Sequence, residues 1–582
     1  MRGLVRSVVR RGAPSVWVRV VGLFHVRNVA RASNLRHSKD MDVIREGKAL
    51  DLRTINPRIV AAEYAVRGEL PTRATRLQRV LEAGGPEAAA LPFREVTYCN
   101  IGNPQALGNP PFTYHRRVMA LCDCPDLAAA MPNAETERLF PADVREAAER
   151  ILRSAGLGGT GAYSDSQGVS VIRQDVAAYM NARDGIADGS PLAARTEDVF
   201  LTNGSSGAIL MLMALLSGVN DGSVALRGEG EGAHLGSMRP GILIPVPQYP
   251  IYSALSTALG IEALHYHLVE DQGWAIQVSE LSEQVREARR RGIDARALVV
   301  ISPGNPTGQL LRPENVRELV RFAHRERILL MADEVYADNV YLSGQKFESF
   351  RKVLHRDMPG NVQQELELVS LYSASKGLVG ECGRRGGYML LSPGIGREAR
   401  EQLLKLASIM LCPNLGGQVM IDCVVRPPQP GQPSYDLYAK ERKERYESLK
   451  RRASRIVDAF RSMRGVQCNP SEGAMYAFPR ITVGENALEA AKRAGMPLDT
   501  FYCVSLLERT GICVVPGAGF GMSTGQRTPS DPPGVCHFYL RTTILPPDDK
   551  MEHVIDLLRI HHEEFLQKYP LPNPESVSER RS

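Results

Sequence analysis

The chain contains a series of short apolar segments, each followed by a polar loop rich in glycine, proline or asparagine. Stretches of helical character lie between many of them, such as residues 313–325. This alternation predicts an α/β fold with a mostly parallel sheet. Ligands bind beyond the carboxyl ends of the strands in such sheets, so a functional site is expected in the polar loops. The clearest apolar segments are residues 199–202, 241–245, 297–301, 328–332 and 366–372.

Positive charge is concentrated at the beginning of the chain. Residues 1–39 hold nine of the 71 lysines and arginines and no acidic residue. The other 62 face 65 acidic residues, so the body is mildly acidic and does not predict a nucleic-acid surface. An arginine-rich, acid-free segment with Arg2, Arg6 and Arg10 on one helical face is typical of a mitochondrial transit peptide. We therefore expect a mitochondrial protein; the alternative is a cytoplasmic one that keeps a basic arm.

Several other classes of protein and site do not fit the sequence. It has no apolar stretch near the roughly 20 residues of a membrane-spanning helix. Its ten cysteines include no C-x-x-C pair, so we expect reduced thiols and no metal centre. His265 and His267 are expected on one face of a strand. The glycines of residues 228–232 lack the context of a phosphate loop, so residues 223–240 and 522–535 are interpreted as surface insertions.

Two residues at predicted strand ends have the chemistry of a cofactor site. Lys376 follows an apolar strand and the small residues Ser373 and Ser375, and a lysine in such a place can form a Schiff base. Asp333 ends another apolar strand, where a carboxylate can pair with the ring nitrogen of pyridoxal phosphate. Each observation alone also fits a structural role, so the companions of these residues decide the interpretation.

The loops after other predicted strands supply the remaining parts of such a site. Tyr336 and Asn305 can reach the ring oxygen of the cofactor, and the ring of Tyr249 can stack on it. Residues 204–207 open an apolar helical stretch, and a helix N-terminus with serine hydroxyls binds anions. An arginine such as Arg385 can bind a phosphate with two parallel hydrogen bonds. Together these residues predict a pyridoxal 5'-phosphate site.

Several segments resemble the signatures of the fold-type I, class I/II pyridoxal-phosphate-dependent aminotransferases, most of all their alanine aminotransferase branch. The Gly-Glu-Cys-Gly sequence of residues 380–383 is characteristic of that branch. The resemblance runs from about residue 50 to residue 567. The matching segments are residues 161–164, 245–250, 302–309, 332–336, 338–341, 375–388, 473–476, 510–516 and 543–546.

The resemblance implies roles for the residues around the cofactor ring. Lys376 would hold the cofactor and later move a proton, and Asp333 would pair with the ring nitrogen. Asn305 and Tyr336 would bind the ring oxygen, and Tyr249 would stack on the ring. Lys376 and Asp333 are therefore the expected catalytic residues.

The resemblance also implies a phosphate site and a substrate site. Tyr163 would reach the phosphate of the partner subunit, which implies a homodimer. Two positions depart from the family pattern, because Gly207 replaces the usual aspartate and Arg384 replaces the usual aromatic residue. The phosphate is expected to contact Ser205, Ser206, Ser373 and Arg385. The substrate is expected to contact Arg541, Gly102 and Asn305.

The implied reaction is a reversible amino transfer from L-alanine to 2-oxoglutarate, which gives pyruvate and L-glutamate. A glutamate:glyoxylate or other related aminotransferase would carry nearly the same motifs and remains the alternative. A pyridoxal phosphate lyase of the aminocyclopropane-carboxylate synthase type does not fit the Gly-Glu-Cys-Gly segment. A non-catalytic relative serving as a binding module does not fit the presence of Lys376 and Asp333.

Long charged helical stretches and short strand-like pieces follow residue 395, which predicts a second, smaller α+β domain. With the transit peptide over residues 1–39, the expected order continues with an N-terminal arm and part of the small domain over residues 40–135. The large pyridoxal-phosphate-binding domain is expected over residues 136–395, the C-terminal small domain over residues 396–567, and a flexible tail over residues 568–582.

Overall fold

A computed structural model describes residues 55–64, 68–156, 158–218, 238–527 and 532–572, together with Leu50 and Leu52. The chain divides into two compact units, residues 1–55 and 56–582, and the fold below belongs to the second. The expected transit peptide, most of the insertion at residues 223–240 and the tail from residue 573 lie outside the described residues.

The helices of the described part alternate with strands through the middle of the chain. They are α1 (Pro57–Ala61), α2 (Glu69–Ala83), α3 (Gly85–Ala90), α4 (Thr113–Asp123), α5 (Asn133–Leu139), α6 (Ala142–Ala155), α7 (Ser170–Asp184), α8 (Gly204–Leu216), α9 (Ile251–Leu259), α10 (Val278–Arg290), α11 (Pro313–Glu326), α12 (Phe350–Asp357), α13 (Gly360–Glu365), α14 (Arg397–Ile409), α15 (Leu415–Val425), α16 (Tyr435–Ser462), α17 (Glu485–Arg493), α18 (Leu498–Thr510) and α19 (Asp548–Lys568).

The strands of the described part form three sheets. They are β1 (Thr97–Tyr98), β2 (Val199–Asn203), β3 (Arg239–Val246), β4 (Glu262–Val269), β5 (Ala275–Ile276), β6 (Ile293–Ile301), β7 (Leu329–Asp333), β8 (Leu368–Ser373), β9 (Gly386–Leu391), β10 (Val466–Gln467), β11 (Tyr476–Ala477), β12 (Arg480–Gly484), β13 (Ile512–Cys513), β14 (Val515–Pro516) and β15 (Val535–Thr543).

The largest sheet has eight strands in the order β2-β9-β8-β7-β6-β3-β4-β5. Strands β8, β7, β6, β3 and β4 are paired in parallel, and β9 and β5 are antiparallel to their neighbours. All five predicted apolar segments form strands of this sheet, so the mostly parallel α/β fold is confirmed. His265 and His267 both lie on the exposed face of β4, as predicted. The antiparallel strand β9 was not predicted.

The central strands are apolar along their whole length because helices cover both faces of the sheet. Successive residues of a strand point to opposite faces. Thus Leu298 and Val300 pack in the core beneath α10, α11 and α12, whereas Ala297 and Val299 pack in the core beneath α8. Apolar side chains cover both faces of the large sheet, so polar side chains are expected at the strand ends.

A smaller sheet in the C-terminal part has the order β10-β12-β15-β11, with β14 also paired to β15. Strand β1 pairs in parallel with β13, and the Thr543 backbone N–H donates to the Cys99 carbonyl (2.9 Å). The segment after residue 98 is thereby fixed beside the end of β15. Helix α15 packs against α7 and β9 of the large sheet. The domain boundaries given above stay predictions.

The helices of the described part include none that is both long and apolar enough to cross a membrane.

Candidate functional site

A cavity of about 260 Å³ lies at the carboxyl ends of β6, β7 and β8, where the sequence predicts the site. Tyr163 is absent from its wall and is 75% exposed, so the role expected for it in the partner subunit stays a prediction. The other predicted site residues all line the cavity: Gly102, Ser205, Ser206, Tyr249, Asn305, Asp333, Tyr336, Ser373, Lys376, Arg385 and Arg541.

Lys376 lies three residues beyond the end of β8, on the turn that leaves the sheet. Its Nζ donates a hydrogen bond to the Gly102 carbonyl (2.8 Å), and its side chain is half-buried. It forms no ion pair with any carboxylate of the described residues. The amine therefore faces the cavity without a counter-ion.

Asp333 is the last residue of β7 and is buried in the cavity wall. Tyr252, on α9, donates its hydroxyl to Oδ2 (2.8 Å), whereas Oδ1 is buried without a hydrogen-bond partner among the described residues. Burial raises the pKa of Asp333 to about 6, although the Tyr252 hydroxyl, the Val335 backbone N–H and the Lys376 ammonium act in the opposite direction. A buried carboxylate with a free oxygen fits a ligand that brings a positively charged N–H group.

A positive charge without an acidic partner among the described residues lies at a second part of the cavity wall. Arg385 donates from Nη2 to Ser206 Oγ (2.9 Å) and from Nη1 to Ser375 Oγ (3.3 Å). Helix α8 begins at Gly204, so the N–H groups of its first turn have no partner within the helix. Arg385 has no acidic partner in the described part of the chain. These donors suit a phosphate group. Arg384 does not line the cavity.

Arg541 lies on β15 of the smaller sheet, and its side chain is buried. Nη1 donates to Asn305 Oδ1 (2.9 Å), and Nη2 donates to the Asn100 carbonyl. The guanidinium carbon lies 4.2 Å from the ring centre of Tyr476 and 4.7 Å from that of Phe520. Carboxylates of the described residues do not pair with it. A buried, uncompensated guanidinium held in this way suits the carboxylate of a small ligand.

Tyr476 is a part of the site that the sequence analysis did not assign. Its hydroxyl lies 3.1 Å from that of Tyr336. A Cβ added to Gly102 would collide with the Tyr476 hydroxyl, so glycine is required there. Burial raises the pKa of the Tyr476 phenol, but the charges of Lys376 and Arg541 and the hydrogen bond with Tyr336 together outweigh burial and leave that pKa below its ordinary value.

Other residues in or beside the cavity wall were also missed by sequence reasoning. Tyr252 follows Tyr249 by three residues at the start of a helix, and this spacing was the available signal. Tyr64 offers no local signal, because its hydroxyl approaches that of Tyr249 (3.2 Å) from a segment 185 residues away. Ser375 and Cys382 lie within recognised motifs but received no role. Among the described residues, no three His, Cys, Asp or Glu side chains gather as a metal site would require.

Comparison with known proteins identifies the relatives of this chain. The sequence profile described as aminotransferase class I and II matches residues 126–557. Alanine aminotransferase 2, mitochondrial, of Arabidopsis thaliana is 44% identical over 518 residues, which are 89% of this chain and 88% of that protein. Glutamate–glyoxylate aminotransferase 1 of the same plant is 41% identical over 522 residues, covering 90% of this chain and 98% of that protein.

The fold has close counterparts among solved structures. Alanine aminotransferase from Pyrococcus furiosus superposes with a TM-score of 0.61 at 21% identity, covering 88% of this chain and all of that one. Aspartate aminotransferase from Rhizobium meliloti gives a TM-score of 0.60 at 18% identity, covering 88% and 98%. These similarities establish the fold-type I architecture. Together with the profile match and the high identity over most of the chain, they place this protein in the class I and II aminotransferase family.

Proposed function

We propose that this enzyme is a pyridoxal-phosphate-dependent aminotransferase that moves an amino group reversibly from L-alanine to 2-oxoglutarate, giving pyruvate and L-glutamate. One observation carries the proposal: a free amine, a buried unpaired carboxylate and a buried unpaired guanidinium line the same cavity. These groups belong to Lys376, Asp333 and Arg541. The names of the relatives support alanine as the amino donor.

The residues of the cavity fit pyridoxal phosphate. The free Oδ1 of Asp333 suits a protonated ring nitrogen, which would neutralise the buried carboxylate. Tyr336 and Asn305 offer hydrogen bonds to the ring oxygen, and Tyr249 offers a face for the ring. The phosphate would be held by Ser205, Ser206, Ser373 and Arg385.

When bound, pyridoxal phosphate supplies an electron sink for the charge left on the substrate Cα after proton loss. Lys376 would hold the cofactor between turnovers, and its freed amine would then take the proton from the substrate Cα and move it to the cofactor carbon C4′. Asp333 would keep the ring nitrogen protonated, because its negative charge would stabilise the positively charged N–H group. Arg541 binds the substrate α-carboxylate and so orients the Cα–H bond toward Lys376.

A second candidate function has its own support. The Arabidopsis glutamate–glyoxylate aminotransferase covers as much of this chain as the alanine aminotransferases do. Both classes of substrate carry the carboxylate that Arg541 would bind, so this cavity wall does not separate them.

We also propose a mitochondrial homodimer. Mitochondrial relatives and the arginine-rich composition of residues 1–39 support the location. Tyr163 supports the dimer, because a large side chain that is 75% exposed has surface to offer a partner subunit. Light scattering of the purified enzyme measures its mass in solution, and a monomeric mass would contradict the dimer. Fractionation of cells that express the full chain tests the location.

A half-reaction screen tests the proposed function. Each amino acid is added alone to the purified holoenzyme, and the visible absorbance of the bound cofactor is followed. We expect rapid change with alanine and glutamate and slow change with other amino acids. Subsequent addition of 2-oxoglutarate or pyruvate should restore the absorbance. No response to alanine, with a response to glutamate that glyoxylate reverses, would favour the second candidate.

A further inference from the structure

The segment over residues 380–383, which the resemblance singles out, packs against the loop over residues 100–107. This 100–107 loop follows β1 and forms one side of the cavity. It carries two carbonyls that bind the cations of the site: Asn100 accepts from Arg541, and Gly102 accepts from Lys376. The position of this loop therefore determines how both cations are held.

Several contacts attach the 100–107 loop to residues 380–383. The Gln105 Nε2 donates to the Gly380 carbonyl (3.3 Å). The Cys382 thiol lies with its Sγ 3.6 Å from the Gly102 carbonyl oxygen. Gly380 has a φ of +66°, and a Cβ at that position would lie 2.9 Å from the Pro104 side chain. Close packing and the left-handed backbone together require glycine there.

A charged bridge reinforces this attachment. Arg116, on α4, donates from Nη2 to Gln105 Oε1 (2.8 Å) and also to Glu381 Oε2 (3.1 Å). Glu381 has 3% of its side chain exposed, and its Oε1 is buried without a hydrogen bond to the described residues. Burial of a charged carboxylate costs free energy, so Glu381 depends strongly on its ion pair with Arg116. Glu381 does not line the cavity, and its side chain connects to the 100–107 loop through Arg116 and Gln105.

We propose that Glu381 is a positioning residue, which acts through Arg116 and Gln105 to hold the 100–107 loop against Lys376 and Arg541. A fixed loop keeps both cations oriented before the substrate arrives, whereas a loose loop must be ordered on binding. Loss of the bridge should therefore weaken substrate binding more than it slows chemistry. The kinetic part of this inference rests on the proposed aminotransferase function.

The test compares Glu381→Gln and Arg116→Ala with the control Arg117→Ala. Arg117 adjoins Arg116 on α4 and forms no ion pair within the described residues. We expect the KM for alanine to rise about tenfold in both test variants, with kcat within about threefold of wild type. Arg116→Lys keeps the charge, and it should recover most of the lost affinity.

A second measurement does not depend on turnover. In the cofactor-free protein, alkylation of Cys382 by iodoacetamide is followed by peptide mass spectrometry, with the half-buried Cys412 as an internal reference. A released loop should make Cys382 react about tenfold faster, because its thiol is half-buried beneath Gly102. Cys412 should react at its wild-type rate in every variant.

Two outcomes would overturn the proposal. One is that KM and Cys382 alkylation in both test variants stay within about twofold of the Arg117→Ala control. The other is that kcat falls while both of these measurements are unchanged. If Glu381→Gln does not fold, Gln105→Ala removes the same bridge from the loop side. Failure of alanine as a substrate would affect wild type and variants alike, and the alkylation rates would still decide the role of Glu381.

Discussion

The two ends of the cavity are built in opposite ways. The proposed cofactor end consists of strand ends of the large sheet and the start of α8, and its buried charge is the carboxylate of Asp333. The proposed substrate end joins the 100–107 loop to β15 of the smaller sheet, and its buried charge is the guanidinium of Arg541. Neither charge has an ion-pair partner among the described residues. Each end therefore suits a part of a ligand that carries the opposite charge.

The difference predicts which binding constant changes when residues of each end are substituted. A parallel sheet fixes the cofactor end, because neighbouring strands hold its residues in register. The substrate end depends on contacts between segments more than 400 residues apart, which are local in space and not in sequence. We expect changes at the first end to affect cofactor affinity and changes at the second to affect substrate affinity. Four variants test this separation.

Lys376→Ala should have the largest effect, because in the proposed mechanism Lys376 would both hold the cofactor and move the substrate proton. We expect turnover with alanine to fall by at least about a thousandfold, since removal of a proton-transferring group costs up to four orders of magnitude. Pyruvate formation is the measurement. Lys405→Ala, at an exposed position on α14, is the control and should keep wild-type activity. Near-normal turnover of Lys376→Ala would remove the central residue of the proposed site.

Asp333→Asn should separate stability from function. The folded pKa of about 6 lies above the ordinary 3.8, so the free energy of unfolding of the cofactor-free protein falls as pH rises from about 4 to about 6. The loss is roughly 3 kcal/mol and persists above that window. The Asp333→Asn variant does not have this loss of unfolding free energy, because an amide does not ionise. We expect urea denaturation to give the cofactor-free variant higher stability than wild type at pH 7.5 and nearly equal stability at pH 4.

The same variant should lose about a hundredfold in turnover when loaded, because an amide does not hold the ring nitrogen protonated. Asp458→Asn, at an exposed position on α16, is the control for both measurements. Equal stability of wild type and Asp333→Asn at both pH values would mean that burial does not destabilise the charged carboxylate of Asp333.

Arg541→Lys should act on the substrate end alone. A lysine keeps the charge but loses the two-pronged geometry, so we expect kcat/KM to fall about thirtyfold for both alanine and 2-oxoglutarate. The dissociation constant of the cofactor should not change. Arg480→Lys, on the neighbouring strand β12, is the matched control. A large change in cofactor affinity would show that the two ends are not independent.

Arg385→Gln should give the smallest effect of the four, because this arginine is exposed and solvent replaces part of its interaction. We expect the dissociation constant of pyridoxal phosphate to rise about tenfold, with an unchanged KM for alanine at saturating cofactor. Arg384→Gln changes the adjacent residue outside the cavity wall and should leave both constants unchanged. An altered KM with unaltered cofactor affinity would reverse the assignment of the two ends.

Much of the cofactor end was predictable because its signals are local. Asp333, Lys376 and Asn305 each follow an apolar strand, and parallel strands bring their carboxyl ends to one edge. The start of α8 was visible in the glycine and serine pair before an apolar run. Tyr252 was missed because its spacing from Tyr249 indicates a shared helix start but does not show that the carboxylate of Asp333 lies opposite.

The substrate end was predictable in its main residues through the family resemblance, which assigned Arg541 and Gly102. The partners of these residues were not predictable. The contact of Arg541 with the Asn100 carbonyl, and that of Tyr476 with Tyr336, depend on how the smaller sheet meets the 100–107 loop. No periodicity or spacing encodes such contacts.

The sequence by itself determined the α/β fold, the strand ends that carry polar residues, and the family with its expected site residues. These features depend on hydrophobic periodicity and on short motifs, which are local properties of a chain. The tertiary structure alone decided that Asp333 and Arg541 are buried without counter-ions and that Glu381 is tied to the 100–107 loop through Arg116. The reason is physical: burial and charge pairing are properties of three-dimensional neighbours, and segments distant in the chain supply those neighbours.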